Sequence, residues 1–318
     1  MRLILCDRYL DIAKKVDAPD DTFVFTCCED FSVGSIQDWN APTKFHQARS
    51  ELWWKETNWA EVEIDYRVWL QVLPNQERMT QELAAKTERG EIELQEPYKF
   101  EDLAPKADQI ELWADASVRS SVWRWYMVAT LERMGVDLSR VFVSNISEDG
   151  FREHKKRFWT RLVNNAEDRA FPADQLSQAQ LENMIQYWEA AVSLPTPINP
   201  EFAASFDEST RHVFNILSAR HPDPETRLSN IEARLLKGAR SEWKKMAYVV
   251  ANAMGKGWDD NDSVGHSHLQ IVLKDMALKQ PALVEIKGQG EMRFCDVRLT
   301  SLGQMLQNKI QIKKQHGT

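Results

Sequence analysis

QIELWADASVRSSVWRWYMVATLERMG (109–135) reads as a buried strand running directly into a helix, and that junction decides the fold of the first half. QIELWAD (109–115) is a mostly apolar run closed by an acid and too short to be a helix of its own. SVRSSVWRWYMVATLERMG (117–135) then carries apolar residues at helical spacing and stops at Gly135, a residue suited to the left-handed conformation at a helix end. Outward from this unit the alternation repeats. RLILCD (2–7), TFVFTCC (22–28) and RVFVSN (140–145) are further strands, and DRYLDIAKKV after the first has helical spacing. Strands that are apolar along their whole length are covered on both faces, which is the habit of parallel sheets flanked by helices. The expected fold is therefore an α/β, Rossmann-like domain over residues 1–149 with a mostly parallel sheet. Between the second and third strands lies a Trp-rich insertion, about residues 43–89, expected to be helical. It contains FHQARSELWWKE and DYRVWLQVLPNQERMTQELAAKTERG, and Pro74 is expected to kink or break the second of these.

From residue 150 no strand is expected for a long way. Residues 150–220 read as a helical connecting region. FREHKKRFWTRLVNN is a basic amphipathic helix, Ser177 is the expected N-cap of the helix that follows it, and LPTPINP (194–200) breaks that helix. FAASFDESTRHVFNILSAR reads as one further helix. Residues 221–318 then give three helices, two strands joined by Gly288-Gln289-Gly290, and a short terminal helix. Three helices and a hairpin in that order are the order of a winged-helix-like α+β domain.

Composition narrows the class. At 318 residues with 43% apolar content the chain supports two ordinary domains with cores. Twelve tryptophans against six tyrosines is an unusual tilt, and Trp39, Trp53, Trp54, Trp59, Trp69, Trp113, Trp123 and Trp125 fall early. Their plainest reading is a packing cluster; a stacking platform for a base or sugar is the sharper one. No apolar run is long enough to span a bilayer, and MRLILCDRYLD reads as a strand rather than a signal peptide. Cys6, Cys27, Cys28 and Cys295 show no CxxC spacing and read as reduced thiols, which implies a cytoplasmic protein with no zinc site. The net charge is −8, with about 15 Lys/Arg against 10 Asp/Glu in residues 225–318, so the front is acidic and the tail mildly basic.

Several stretches together resemble an uncharacterised bacterial family, the one catalogued as domain of unknown function 1835. They are EDFSVGSI, RSELWW, IELWADASVRSSVWRWYMVATL, QLSQAQLENMIQYWEAA, LSARHPDPETRLSNIEARLL and VRLTSLGQML. The resemblance covers most of the chain and is carried by short motifs. It implies a shared layout and no activity, because that family has none assigned. The family tends to carry Gly-Asp-Ser after its first strand, where Cys6-Asp7-Arg8 stands here. It also tends to place a His and further acids after the third-strand tryptophan, where Ala114, Asp115, Ala116 and Ser117 stand. Chemistry that needs that His is not expected in this chain.

In open α/β sheets, ligands bind outside the carboxyl ends of the strands, where strand order reverses. The residues expected there are Asp7, Arg8, Asp30, Ser32, Asp115 and Ser117, with Arg49 and Arg119 as cationic partners. Acids beside arginines fit an anionic, nucleotide-like ligand or a metal with a phosphate, and they equally fit capping and internal pairing. The SVGSI loop is neither GxGxxG nor a P-loop, GKGWDDNDS lacks the spacing of a calcium loop, and no GxSxG elbow is present. His266 and His268 alternate on a helix, so they do not share a metal without an irregular backbone. For nucleic acid, the candidates are Lys274 and Lys279 on the helix before the hairpin, with Lys287 and Arg293 at its tip. Three readings follow. One is a binding or regulatory protein with a small anionic ligand at the strand ends. Another is a metal-dependent hydrolase or transferase acting on a phosphate-bearing substrate through Asp7, Asp30 and Asp115. The third is a complex-forming subunit, a homodimer included, or a DNA-binding one, with DNA not favoured because the helix before the hairpin is rich in apolar residues (Val264, Leu269, Ile271, Val272, Leu273, Met276 and Leu278). Sequence alone leaves ligand, cofactor, enzymatic status and pathway open.

Overall fold

Strand β1 (Arg2–Asp7) is apolar at Leu3, Ile4, Leu5 and Cys6, all fully buried, because it lies in the middle of a sheet with a neighbour on each side. A computed structural model describes residues 1–7, 22–27, 31–34, 36–41, 44–45, 69–72, 100–145, 173–262, 264–290 and 292–315. Strands β2 (Thr22–Cys27), β3 (Trp69–Val72), β4 (Gln109–Ala114), β5 (Val141–Asn145) and β6 (Asp174–Gln175) complete the sheet, in the order β3-β2-β1-β4-β5-β6. The four central strands are parallel, with Leu3 beside Phe23 and Ile110, and Ile110 beside Val141. β3 and β6 pair antiparallel at the edges. The expected mostly parallel α/β sheet is present.

Two sequence expectations need correction here. Trp69–Val72 falls in the insertion expected to be helical, yet it is a strand paired with Val24–Cys27. The physical reason is that Trp-Leu-Gln-Val suits a pleated surface and β2 offers it an edge to pair with. The short edge strand at Asp174–Gln175 lies where no strand was expected; two exposed polar residues carry no apolar pattern to reveal it. The rest of 43–89 apart from residues 44–45, and FREHKKRFWTRLVNN, lie outside the described residues.

Helix α1 (Phe100–Leu103) leads into β4, and helix α2 (Val118–Arg133) follows it. Helix α3 (Gln178–Val192) begins as expected at Ser177, whose hydroxyl accepts from the Gln180 N–H (3.3 Å) while the Gln180 side chain accepts from the Ser177 N–H (2.8 Å). The chain forms two compact units: Met1–Phe31 with Ile64–Glu189, and Ser32–Glu63 with Ala190–Thr318. The sequence reading has three contiguous pieces instead.

In the first unit, the sheet and α2 bury Trp113, Trp123 and Trp125, and Phe31, Tyr126 and Trp188 form one aromatic cluster with centroids 4.0–5.9 Å apart. Glu111 is a buried carboxylate in mid-strand. It accepts from Arg2 through Nε (2.6 Å) and Nη2 (2.8 Å), from Gln109 (2.7 Å) and from the Trp113 indole (3.0 Å), which satisfies it within the sheet.

In the second unit, the helix expected over FAASFDESTRHVFNILSAR is two: α4 (Pro200–Ala204) and α5 (Glu208–Ser218). Asp207 breaks it by capping α5, accepting from the Thr210 N–H at 2.7 Å. There follow α6 (Asn230–Gly238), β7 (Lys244–Lys245), α7 (Met246–Asp259), α8 (His266–Leu278), β8 (Val284–Lys287), β9 (Asp296–Leu299) and α9 (Ser301–Gln315). The three strands form an antiparallel sheet in the order β7-β9-β8. Their core unites Leu235, Leu236, Val249, Leu269, Leu273, Met276, Val297 and Leu299. The connection expected to turn at Gly288-Gln289-Gly290 is longer: β8 ends at Lys287 and β9 begins at Asp296, and the described residues between them include a 3-10 turn at Met292–Phe294. No helix among the described residues is long and apolar enough to cross a membrane.

One ion cluster fixes the turn between α7 and α8. Asp262 is 2% exposed, and its carboxylate accepts from both Arg220 and Arg234, with Arg220 Nη1 at 3.0 Å and Arg234 Nη1 reaching the Asp262 carbonyl at 3.2 Å. Arg220 also donates to Asn230 (3.0 Å) and to the Ser32 carbonyl (3.2 Å). A Cβ on Gly257 would collide with Arg234 and the Asp262 carbonyl. Asp262→Asn leaves two buried guanidinium groups facing each other and is expected to cost about 3–5 kcal/mol in urea unfolding; a loss below about 1 kcal/mol would show that the cluster does not hold the turn.

Candidate functional site

Sheet order places the site. The chain runs from β1 outward to β2 and β3, and later returns to the other side of β1 with β4 and β5. The order reverses between β1 and β4, so the carboxyl ends of these two strands open the crevice where α/β sheets bind ligands. Asp7 ends β1, Asp115 follows β4, and Ser117 caps α2 one residue before its first turn. The structure thus brings together Asp7, Asp115, Ser117 and Arg119 of the expected set. Ser32 belongs to the other unit, where its carbonyl receives Arg220. Arg8, Asp30 and Arg49 lie outside the described residues.

The geometry at this point is tight. Asp7 has no exposed surface; its Oδ2 accepts from the Ser120 hydroxyl at 2.7 Å and its Oδ1 from Arg119 Nε at 3.2 Å. The Asp115 carboxylate accepts from the Ser117 N–H (2.8 Å), and its carbonyl accepts from Arg124 Nη2 (2.6 Å). The Ser117 hydroxyl accepts from the Ser120 N–H at 3.3 Å. The Ser117 and Ser120 amides are therefore engaged within the protein. Arg119 remains at the rim, its side chain 12% exposed, and the positive end of the α2 dipole faces the same place. Sequence reasoning missed Ser120 and Arg124. Ser120 was findable, because it stands three residues after the cap on the turn that meets β1; Arg124, nine residues beyond Asp115, gives no sequence signal.

Cys6 sits beside Asp7 with no exposure. Burial, reinforced by the Asp7 and Glu111 carboxylates, pushes its thiol far above the ordinary range, so no nucleophile forms there. Among the described residues, no group of three His, Cys, Asp or Glu side chains is placed to hold a metal ion.

The nucleic-acid candidates divide. Lys274 on α8 and Lys287 at the end of β8 are exposed, and Arg293 is exposed with its guanidinium 4.8 Å over the Phe294 ring. Lys279, just past α8, is ion-paired with Glu232, which also closes the capping box of α6 with Ser229. Its charge is already answered. On the outer face of the small sheet, Asp296 pairs with Lys245 (3.0 Å) and stands in register with Lys287, while Arg298 bonds Glu285 (2.7 Å) and stacks 4.6 Å over Trp243.

Comparison of the chain with family models, with curated proteins and with solved structures gives no match.

Ser120→Ala removes one donor from a buried carboxylate and is expected to cost about 2 kcal/mol in urea unfolding; no measurable change would mean that Asp7 is not held from α2. In a second measurement, Cys6 and Cys295, both buried, should resist alkylation at pH 8 until the protein unfolds, read by peptide mass mapping; labelling of Cys6 in the folded protein would contradict its burial.

Proposed function

We propose that this is a binding and regulatory protein, which takes a small nucleotide-like anion outside β1 and β4 and carries a winged helix for a macromolecular partner. The reversal of strand order between β1 and β4 carries the first part. Arg119 and the amino end of α2 face that reversal and offer the positive potential that a phosphate needs, while the flanking acids suit hydroxyl donors such as those of a ribose. The alternative, a metal-dependent hydrolase or transferase, asks Asp7 to bind a cation. Its carboxylate is already engaged by a guanidinium and a hydroxyl, which favours the binding reading.

The winged-helix reading draws support from the order α6-β7-α7-α8-β8-β9, with the first short strand added beside β9, and from the long connection between β8 and β9. The motif resemblance to domain of unknown function 1835 and the bacterial origin it implies belong to the same proposal. So does a cytoplasmic location, which the buried free thiols Cys6 and Cys295 favour.

A thermal-shift screen against mononucleotides, dinucleotides and sugar phosphates tests the ligand. A ligand at about 100 times its Kd adds about 2.7 kcal/mol, a shift of several degrees for a chain this size. Arg119→Lys keeps the charge but loses the planar fork, and is expected to abolish the shift. No shift with any compound, or an equal shift in Arg119→Lys, would sink the strand-end site.

A further inference from the structure

We propose that the outer edge of strand β8 pairs with the same edge of a second copy of this chain, antiparallel and centred on Ile286. Neither the strand-end ligand nor the winged-helix reading enters, because the contact uses only the register of the small sheet. β8 is an edge strand, for the order is β7-β9-β8. Which of its backbone groups face outward follows from β9. The Leu299 N–H donates to the Arg240 carbonyl (2.7 Å), and the Cys295 carbonyl accepts from the Met246 N–H (2.9 Å), so the odd-numbered residues of β9 turn toward the β7 side. Asp296 and Arg298 then turn toward β8, where their register partners are Lys287 and Glu285. Val284 and Ile286 are left pointing away from β9. Val284 is buried, which closes the start of the edge. Ile286 is only half-buried, and its N–H and C=O have no hydrogen-bond partner among the described residues. An edge that offers a donor and an acceptor in this way is a template for another strand.

Charge selects the occupant and the register. Glu285 and Lys287 are exposed and share the outer face of the sheet, two residues apart. Across β9 that face continues in two rows. One runs Lys245–Asp296–Lys287, with Lys245 and Asp296 at 3.0 Å. The other runs Trp243–Arg298–Glu285, with Arg298 donating to Glu285 at 2.7 Å and stacking 4.6 Å over the Trp243 ring. At the edge the first row ends on a cation and the second on an anion, so the edge is its own electrostatic complement about a two-fold axis. The outward groups of Ile286 meet those of Val284, Ile286 or Gly288 in the second copy. Opposite Val284, the two-fold falls on Glu285 and sets it against itself. Opposite Gly288, it falls on Lys287 and does the same. Opposite Ile286, the two isoleucines exchange both backbone bonds, and Glu285 stands across from Lys287 twice. Opposite charges directly across a ladder stabilise it and like charges oppose it, so the register centred on Ile286 is selected. Both rows then run on into the second copy with their alternation of sign unbroken. An edge of lysines alone would repel its copy instead. On α8 the exposed Lys274 and Asp275 are adjacent and opposite in sign, and they favour no register.

The test is sedimentation velocity of the full chain at concentrations up to about 1 mM, because small contacts bind weakly. A dimer is expected. Glu285→Lys alone and Lys287→Glu alone each set like charges across the ladder at both places, and each is expected to raise the dimer Kd at least about tenfold. Mixed in equal amounts, the two variants restore every opposite pair, and the mixture is expected to dimerise as well as the parent chain. Ile286→Pro removes the outward amide without touching the bonds to β9, and is expected to abolish the dimer. The mixture also answers misfolding, since a variant that regains dimerisation with its complement has kept its strand. The pairing is overturned by a chain that stays monomeric throughout the series, by a dimer that either charge variant leaves unchanged, or by a mixture that dimerises no better than its components.

Discussion

The carboxylate of Asp7 lies at the end of the central strand with no exposure, and an unpaired charge there would cost several kcal/mol. It has to be answered, and two of the groups that answer it, Arg119 and Ser120, lie in the first turn of α2. The helix is thereby tied to β1 rather than merely laid on the sheet. With its amino end fixed, α2 directs Val122, Trp123, Met127 and Val128 inward, where they are fully buried, and Tyr126 into contact with Phe31 and Trp188. Asp115, bonded to the Ser117 N–H, ties the same turn to β4. The strands on either side of the topological reversal are thus joined through one helix end. The interactions that make the fold also decide how much of the crevice is left for a ligand, and they leave Arg119 at its rim.

The second unit uses a buried charge in a related way. Asp262 answers Arg220 and Arg234 together, and the excess positive charge is spread onto Asn230 and the Ser32 carbonyl. Desolvation and the neighbouring Arg220 push the Arg234 guanidinium below its usual range, while Asp262 opposes that shift. Such a cluster contributes little net stability compared with apolar packing, but it penalises any arrangement in which one member is displaced. Because Asp262 stands just before α8, what it specifies is the path by which the chain enters that helix.

The parallel core was legible from sequence because its strands are mostly apolar: the expected RLILCD, TFVFTCC, QIELWAD and RVFVSN each match an observed strand to within a residue. Ser177 was legible as a cap because its partner lies three residues away. What escaped was set by tertiary context. The strand at Trp69–Val72 exists because β2 offers an edge, and the break at Asp207 because a side chain competes for backbone donors. At the candidate site, Asp7, Asp115, Ser117 and Arg119 could be named from strand ends alone. Their commitment to Ser120, to each other's backbone and to α2 could not, since those partners lie up to 113 residues apart. The ion cluster of Arg220, Arg234 and Asp262 was invisible for the same reason.

The apolar richness of the helix before the hairpin weighs against nucleic-acid binding when read as composition. The structure alters that weighing. Leu269, Ile271, Leu273 and Met276 are buried and Val272 packs beside them, so most of the apolar residues belong to the face that closes the core. Such a face is required of a helix in a small three-helix unit whatever its outer surface does. The outer surface is the part to be judged, and there the exposed set is His266, Lys274 and Asp275 with Leu278 at the end.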